Sequence, residues 1–509
     1  MAVARTRAVA LMGVRAHPVE VEAVLGQGLP GLAFTGLADT SVIESRDRVR
    51  AAVHSCGAAW PDRKVTVALL PADLRKVGSR FDLAVAVAVL AATGTVPADS
   101  VRDLVWIAEL GLDGRLRPVR GVLPAITAVR DRARQVVVAP GNGAEAALVP
   151  GVDVRVAYDL AEVVTCLRGE GPPLAGPDAV DDVAVDRAEP DLAEVAGQTL
   201  AKRAVEVAAA GGHHVFLEGA PGAGKTMLAQ RLPGLLPPLD DDAALEVTAV
   251  HSVAGLLGER ARLLRRAPFQ APHHTASVAS LVGGGSALAH PGAISLAHRG
   301  VLFLDEAPEF ASAALEALRQ PLEGGAVVLH RSAGAVTYPA RFLLVLAANP
   351  CPCGARASDC TCAAQARRRY QQRLSGPLLD RIDLRVQVEP VAHAELFDLA
   401  EARESSATVA ARVAVARAAA LERWACTPWR SNGEVPGAAL RARPWALPRA
   451  TVEPAQGYLQ RGQLSARGYD RVLRLSWTLA DLSGRAVPAP GDVAEALFFR
   501  TGQGEGRAA

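Results

Sequence analysis

Aromatic residues are scarce in this sequence, at 4% of 509 residues, and there are only 3 Met and 7 Cys. Half of the residues are hydrophobic, so large cores are possible, but they must be built mainly from Ala, Val and Leu. No apolar run approaches the ~18–20 residues that a membrane-spanning helix needs, so no membrane partner is expected. The first residues, Met-Ala-Val-Ala-Arg-Thr-Arg, lack the apolar core and cleavage site of a secretory leader. So few cysteines in so long a chain, four of them clustered, fit a reduced, cytoplasmic protein. An excess of charge is lacking too: 55 basic residues stand against 53 acidic ones, a formal net charge of +2. Coating nucleic acid by bulk charge is thereby excluded, and any DNA contact must come from a local basic surface. The length leaves room for about three domains.

What is present centres on Gly219-Ala220-Pro221-Gly222-Ala223-Gly224-Lys225-Thr226, which reads G-x-x-x-x-G-K-[ST]. The apolar run Val215-Phe216-Leu217 before it reads as a buried strand, and Thr226 onward as a helix. In that setting glycines let backbone N–H groups turn inward around a polyphosphate. Lys225 is placed to reach the β- and γ-phosphates of ATP and Thr226 to sit on Mg²⁺. Val301-Leu-Phe-Leu-Asp305-Glu306 is a second apolar strand, ending in two acids. Asp305 suits the Mg²⁺ hydration shell and Glu306 the polarisation of an attacking water. Phosphoryl transfer asks a protein mainly for positioning and charge, which strand tips supply. A third strand, Phe342 to Ala348, ends at Asn349, an amide suited to the γ-phosphate or the water. Arg381, in Ser375-Gly-Pro-Leu-Leu-Asp-Arg-Ile-Asp-Leu, reads either as an arginine finger for a neighbouring subunit's ATP or as a helix-end ion pair with Asp380 or Asp383.

Between these motifs lie Pro268-Phe-Gln-Ala-Pro-His273-His274-Thr275 and a triple glycine, Gly283–Gly285. Adjacent side chains point apart on regular elements, so the two histidines suit polar contacts near the nucleotide better than one metal. Ala326 to Pro339 alternates around Ser-Ala-Gly and reads as an inserted hairpin. Residues 1–168 read as a separate α/β domain, with strands Ala8–Gly13, Val19–Leu25, Leu32–Gly36, Lys64–Leu70 and Gln135–Ala139 and helices Ser41–Cys56 and Phe81–Thr93. Residues 169–190 are rich in Gly, Pro and Asp and read as a linker. The ATPase core spans 191–390. Residues 391–509 read as helical, with Ala394–Ala402, Ala407–Trp424 and an amphipathic helix from Leu464 to Asp481.

The run Pro268 to Asn349, with Ser375 to Leu384, resembles the magnesium-chelatase-like AAA+ proteins of the YifB/ComM group. That resemblance implies an α/β P-loop core with a C-terminal helical lid, behind a front domain similar to the Lon-protease fold. Pro71 to Asp82 and Glu109 to Gly121 carry the Lon likeness. Its serine falls on Arg80 and its lysine near Leu123, so a catalytically dead, structural or docking domain is expected, with Ser79 one position away from the nucleophile's place. In the lid Arg467 matches the sensor-2 arginine offered to the γ-phosphate, with Arg471 and Arg474 as fallbacks. The family's activity implies a homo-oligomeric, hexameric ring that drives branch migration of DNA in natural transformation. By analogy with related replicative helicases, Arg331 and Gly283–Gly285 face DNA. The rivals are a chelatase-type motor subunit and a protein-remodelling ATPase. Arg299 departs from the small residue or Asn common in the family at that position.

Cys351-Pro-Cys353 and Cys360-Thr-Cys362 remain. Four such thiols can wrap a tetrahedral Zn²⁺, although the spacing differs from the commoner C-x₂-C pairs. Two disulfides or a plain reduced loop are the alternatives. The adjacent run Arg367, Arg368, Arg369 reads as a solvated helix face or as a contact for a phosphate backbone.

Overall fold

The computed structural model describes residues 3–178, 189–285, 289–331, 334–355, 360–391 and 403–502. The expected helix Ala394–Ala402 lies outside them.

The front domain is a mixed seven-stranded sheet. Val3–Met12 and Arg15–Gly26 form a long antiparallel hairpin, in register from Val3–Val24 to Met12–Arg15. Lys64–Leu70 continues it on one side, and Leu104–Ile107, Gln135–Val138 and Asp153–Val156 join in parallel on the other. All 11 residues of the helix Asp82–Ala92 are buried. Such a helix, apolar all round, must be covered on every side, and here the hairpin strands and the helix Ser45–Ser55 cover it. The expected helix Ser41–Cys56 is split at Glu44 into Thr40–Ile43 and Ser45–Ser55. The stretch read as linker is pinned at its start, where Leu174 is buried and Ala175 bridges to Val156. Residues 179–188 lie outside the described residues.

The second unit is a five-stranded parallel sheet in the spatial order Phe269–Gln270, Val301–Leu304, Leu343–Ala348, Val215–Glu218, Leu384–Gln387. Its strands are almost wholly apolar because both faces are covered, the usual state of a parallel sheet. One face shares a core with the P-loop helix Lys225–Leu235 and with Val409, Val472, Leu479 and Phe499 of the C-terminal helices. The other face packs on Phe310, Leu315, Leu329 and Tyr338. Few as they are, the aromatics cluster: Trp424 touches Trp429, Trp445 and Trp477, with centroids 4.6–6.4 Å apart.

The two units touch directly. The front helix Val122–Thr127 packs on the core helix Asp241–Ala254, and Gly121 N–H donates to the Ser252 carbonyl at 3.1 Å. The Ser252 hydroxyl donates to buried Glu145. The first inserted loop opens with Gly283–Gly284 paired to His290–Pro291, and the second is the hairpin Ala326–Arg331 with Gly334–Pro339. Their tips, 286–288 and 332–333, lie outside the described residues.

Candidate nucleotide site

Parallel strands place their following loops at one edge, which is where α/β folds gather ligands. Three loops meet there. After Val215–Glu218, Gly222 and Gly224 take φ of +76° and +94°, a left-handed conformation that a side chain would strain. The helix opens at Lys225, so its first N–H groups point into the turn. Lys225 Nζ donates to the carbonyls of Gly219 at 2.7 Å and Ala220 at 3.0 Å and to Asn349 Oδ1 at 3.1 Å. Burial lowers the Lys225 pKa below its ordinary value, opposed by the nearby Asp305 and Glu306. The Thr226 hydroxyl donates to Asp305 Oδ2 at 2.7 Å.

At the next strand end, Asp305 accepts the Glu306 N–H at 2.9 Å. Glu306 itself sits at φ +49°, an uncommon conformation for a residue with a side chain and one often held at functional positions. His274 Nδ1 lies 3.2 Å from Glu306 Oε2. The tandem histidines, with ring centroids 4.1 Å apart, therefore reach this edge, and His274 orients the carboxylate. Proximity to the nucleotide was legible in the order of motifs, whereas the partnership with Glu306 was not. A further contact without a sequence signal is Gln198, whose side-chain amide donates to the P-loop carbonyl of Ala223 at 3.0 Å.

Arg381 and Arg467 are elsewhere. A cavity of about 720 Å³ is lined by His214, Gly300 and Phe342, each preceding a core strand, and by Arg381, Arg467, Arg471 and Arg474. These residues lie at the amino-terminal edge, across the sheet from this chain's own P-loop. Arg381 forms an ion pair with Glu323, not with Asp380 or Asp383, and donates to the Pro377 carbonyl at 2.6 Å. The two fallback arginines are otherwise engaged: Arg471 pairs with Asp383, and Arg474 donates to the Val435 carbonyl at 2.6 Å. Arg467 is exposed at the start of its helix.

In the front domain, Ser79 donates its hydroxyl to Glu109, and buried Arg80 donates to the Arg120 carbonyl at 3.1 Å. Leu123 is apolar and buried. A serine nucleophile needs a base within hydrogen-bond reach, and neither Arg80 nor Leu123 supplies the expected pair. Arg299 holds φ +60°, a left-handed conformation uncommon for a residue with a side chain, and its guanidinium donates to Glu246 at 3.2 Å.

The Cys351, Cys353, Cys360 and Cys362 sulfurs all lie within 4.8 Å of one another. Hydrogen bonding from the Cys351 thiol, then the Ala355 backbone, draws Cys353 down to about 6, while burial pushes Cys351 up to about 12.

The residues at the carboxyl edge fit a magnesium nucleotide: a buried ammonium, a helix N-terminus, and the adjoining hard oxygens of Thr226 and Asp305. Together with the parallel sheet they define a P-loop nucleotide-binding core of AAA+ type. Residues 191–396 match the family described as magnesium chelatase, subunit ChlI, 20–142 match subunit ChlI of Mg-chelatase, and 403–500 match the ChlI C-terminal model. An uncharacterized protein of Mycobacterium tuberculosis is 53% identical over 98% of this chain and 99% of its own. YifB of Escherichia coli is 40% identical over 98% and 97%, and competence protein ComM of Haemophilus influenzae 40% over 96% and 96%. The chain belongs to the magnesium-chelatase-like YifB/ComM family.

Proposed function

We propose that this chain is one subunit of a hexameric, ATP-hydrolysing ring that moves along DNA and promotes branch migration during recombination of incoming DNA. The observation that carries the ring is the division of the ATP chemistry between two edges of one sheet. A four-residue strand spans about 13 Å, so Arg381 and Arg467 serve a neighbour's nucleotide, met where one subunit's amino-terminal edge faces the next subunit's P-loop. On this reading Lys225 holds the phosphates, while Thr226 and Asp305 hold Mg²⁺. An ion held there would neutralise phosphate charge. Glu306, steadied by His274, accepts a proton from the attacking water, and Asn349 positions that water. The C-terminal helices act as the lid, and the Lon-like front domain as a docking module.

The DNA half is supported by the relative named a competence protein and by Arg367, Arg368 and Arg369, all exposed on the helix Ala364–Gln372. In this reading the inserted loops, with Gly283–Gly285 and Arg331, line the path of the strand. The family descriptions favour a second reading, a chelatase-type motor subunit that remodels a protein partner. ATP turnover measured with and without single-stranded and forked DNA, with Glu306→Gln as the blank, separates the two. Stimulation of several-fold is expected. An assembled, active and DNA-indifferent ATPase would sink the DNA reading and favour a protein partner.

A further inference from the structure

The cysteine cluster lies beside the nucleotide site, and no step of the hydrolysis uses it. Cys351 and Cys353 sulfurs are 3.1 Å apart, Cys351 and Cys360 3.4 Å, and Cys353 and Cys360 3.7 Å. A tetrahedral metal with metal–sulfur bonds of ~2.3 Å has sulfur–sulfur edges of about 3.8 Å. The four thiols are therefore already gathered at that scale, two from each side of one loop. Soft sulfur donors select Zn²⁺ over the Mg²⁺ that nucleotides carry, so this is a separate site from Thr226 and Asp305.

The cluster is joined to the P-loop in two ways. Asn349, which accepts from Lys225, is only two residues before Cys351. Gly354, within the same turn, lies so close to the P-loop that an added Cβ would sit 2.6 Å from Pro221 Cγ. The far side of the excursion returns too: buried Tyr370, beyond Cys362, lines the same cavity as Asn349. A metal drawing the four sulfurs together would close this loop on itself and hold it against Pro221.

We propose that Cys351, Cys353, Cys360 and Cys362 bind one Zn²⁺ as four thiolates, and that this centre clamps the Asn349 segment onto the P-loop and so sets the affinity for ATP. The first half stands on sulfur geometry alone, while the second rests on the nucleotide-site reading above. The loop joins a strand end of the ATPase core to the next helix, so the metal links two core elements without touching phosphate.

The test uses the full chain purified under reducing conditions, with elemental analysis and titration of a fluorescent ATP analogue. Wild type should hold about one zinc per chain. Cys353→Ser combined with Cys360→Ser should hold almost none and bind the analogue about tenfold more weakly. Lys225→Ala should lose analogue binding yet keep its zinc, so that a failure of the P-loop reading stays distinct from a failure of the metal site. Cobalt added to stripped wild type should give the intense visible absorption of a tetrahedral thiolate complex. If the double variant does not fold, zinc is displaced from wild type with a mercurial and then restored, and ATP affinity must fall and return with it. Four freely titrating thiols, no zinc and no cobalt spectrum would overturn the site. Metal present, with ATP affinity unchanged on its removal, would overturn the clamp.

Discussion

The two edges of the core sheet are built on opposite plans. At the carboxyl edge, Asp305, Glu306 and Asn349 come right after strand ends, and Lys225 and Thr226 open the helix after the glycine turn; Lys225 bonds to Asn349 and Thr226 to Asp305. Phosphate oxygens can take over those bonds at little cost, because loop groups are easily re-partnered. At the amino edge the charges are locked. Burial alone would raise Asp383, but Arg471 and buried His213 hold it well below the carboxylate range. His213 Nε2 bonds to the Thr478 hydroxyl at 2.7 Å, and His214 Nδ1 accepts the Leu344 N–H at 3.0 Å. The Arg471–Asp383 pair ties the C-terminal helix to the start of the last core strand. On the proposed function, one edge exchanges partners with a ligand, while at the other Glu323 and Asp383 hold Arg381 and Arg471 in place.

The largest effect should come from the rigid edge. Arg381→Ala should leave ATP affinity within about twofold yet cut turnover about 10³-fold, the usual worth of an arginine finger. Mixing Arg381→Ala with Lys225→Ala chains should restore part of the turnover, since mixed rings recover some complete interfaces. No recovery in rings shown to mix would remove Arg381 from the neighbour's site. Lys225→Ala, at the exchanging edge, should weaken ATP binding about 100-fold with the fold intact, through loss of a charge-assisted contact. Retained affinity would erase the distinction between the edges.

The smallest effect is on stability. Burial pulls His214 down to about 4 from 6.5, with Asp383 opposing, and protonating Nδ1 would break its bond to Leu344. A folded pKa below the unfolded one gives stability that is full above pH 6.5 and lost as pH falls toward 4. Denaturant melts should therefore show a loss of roughly 1–2 kcal/mol between pH 7 and pH 5. In His214→Gln that slope should flatten. An unchanged slope would mean that the locked network does not hold His214 neutral.

The carboxyl edge was legible because each of its groups is announced locally, by a glycine pattern or by an apolar run that stops at a polar residue. Glu306 is found by counting from Val301. Its partner His274 lies on a segment whose path no local rule predicts. At the amino edge the ambiguity was chemical. Arg381, Arg467, Arg471 and Arg474 look alike as letters, and Asp380, Asp383 and Glu323 are equally plausible anions. The four cysteines were visible as a set, but their approach to Pro221 through Gly354 was not.

By itself, the sequence determined the strand–loop–helix of the phosphate site, the acids after Val301–Leu304 and the apolar strands that carry Val215, Val301 and Leu343. These rest on short-range rules: backbone conformation, hydropathy period and the chemistry of adjacent side chains. Tertiary structure alone decided that Arg381 and Arg467 share a cavity across the sheet from their own P-loop, that Asp383 takes Arg471 as its partner, and that the front domain docks on Asp241–Ala254. Those choices depend on which distant segments meet. Ionic partners are interchangeable in sequence and become unique only when burial removes the water that would otherwise satisfy them.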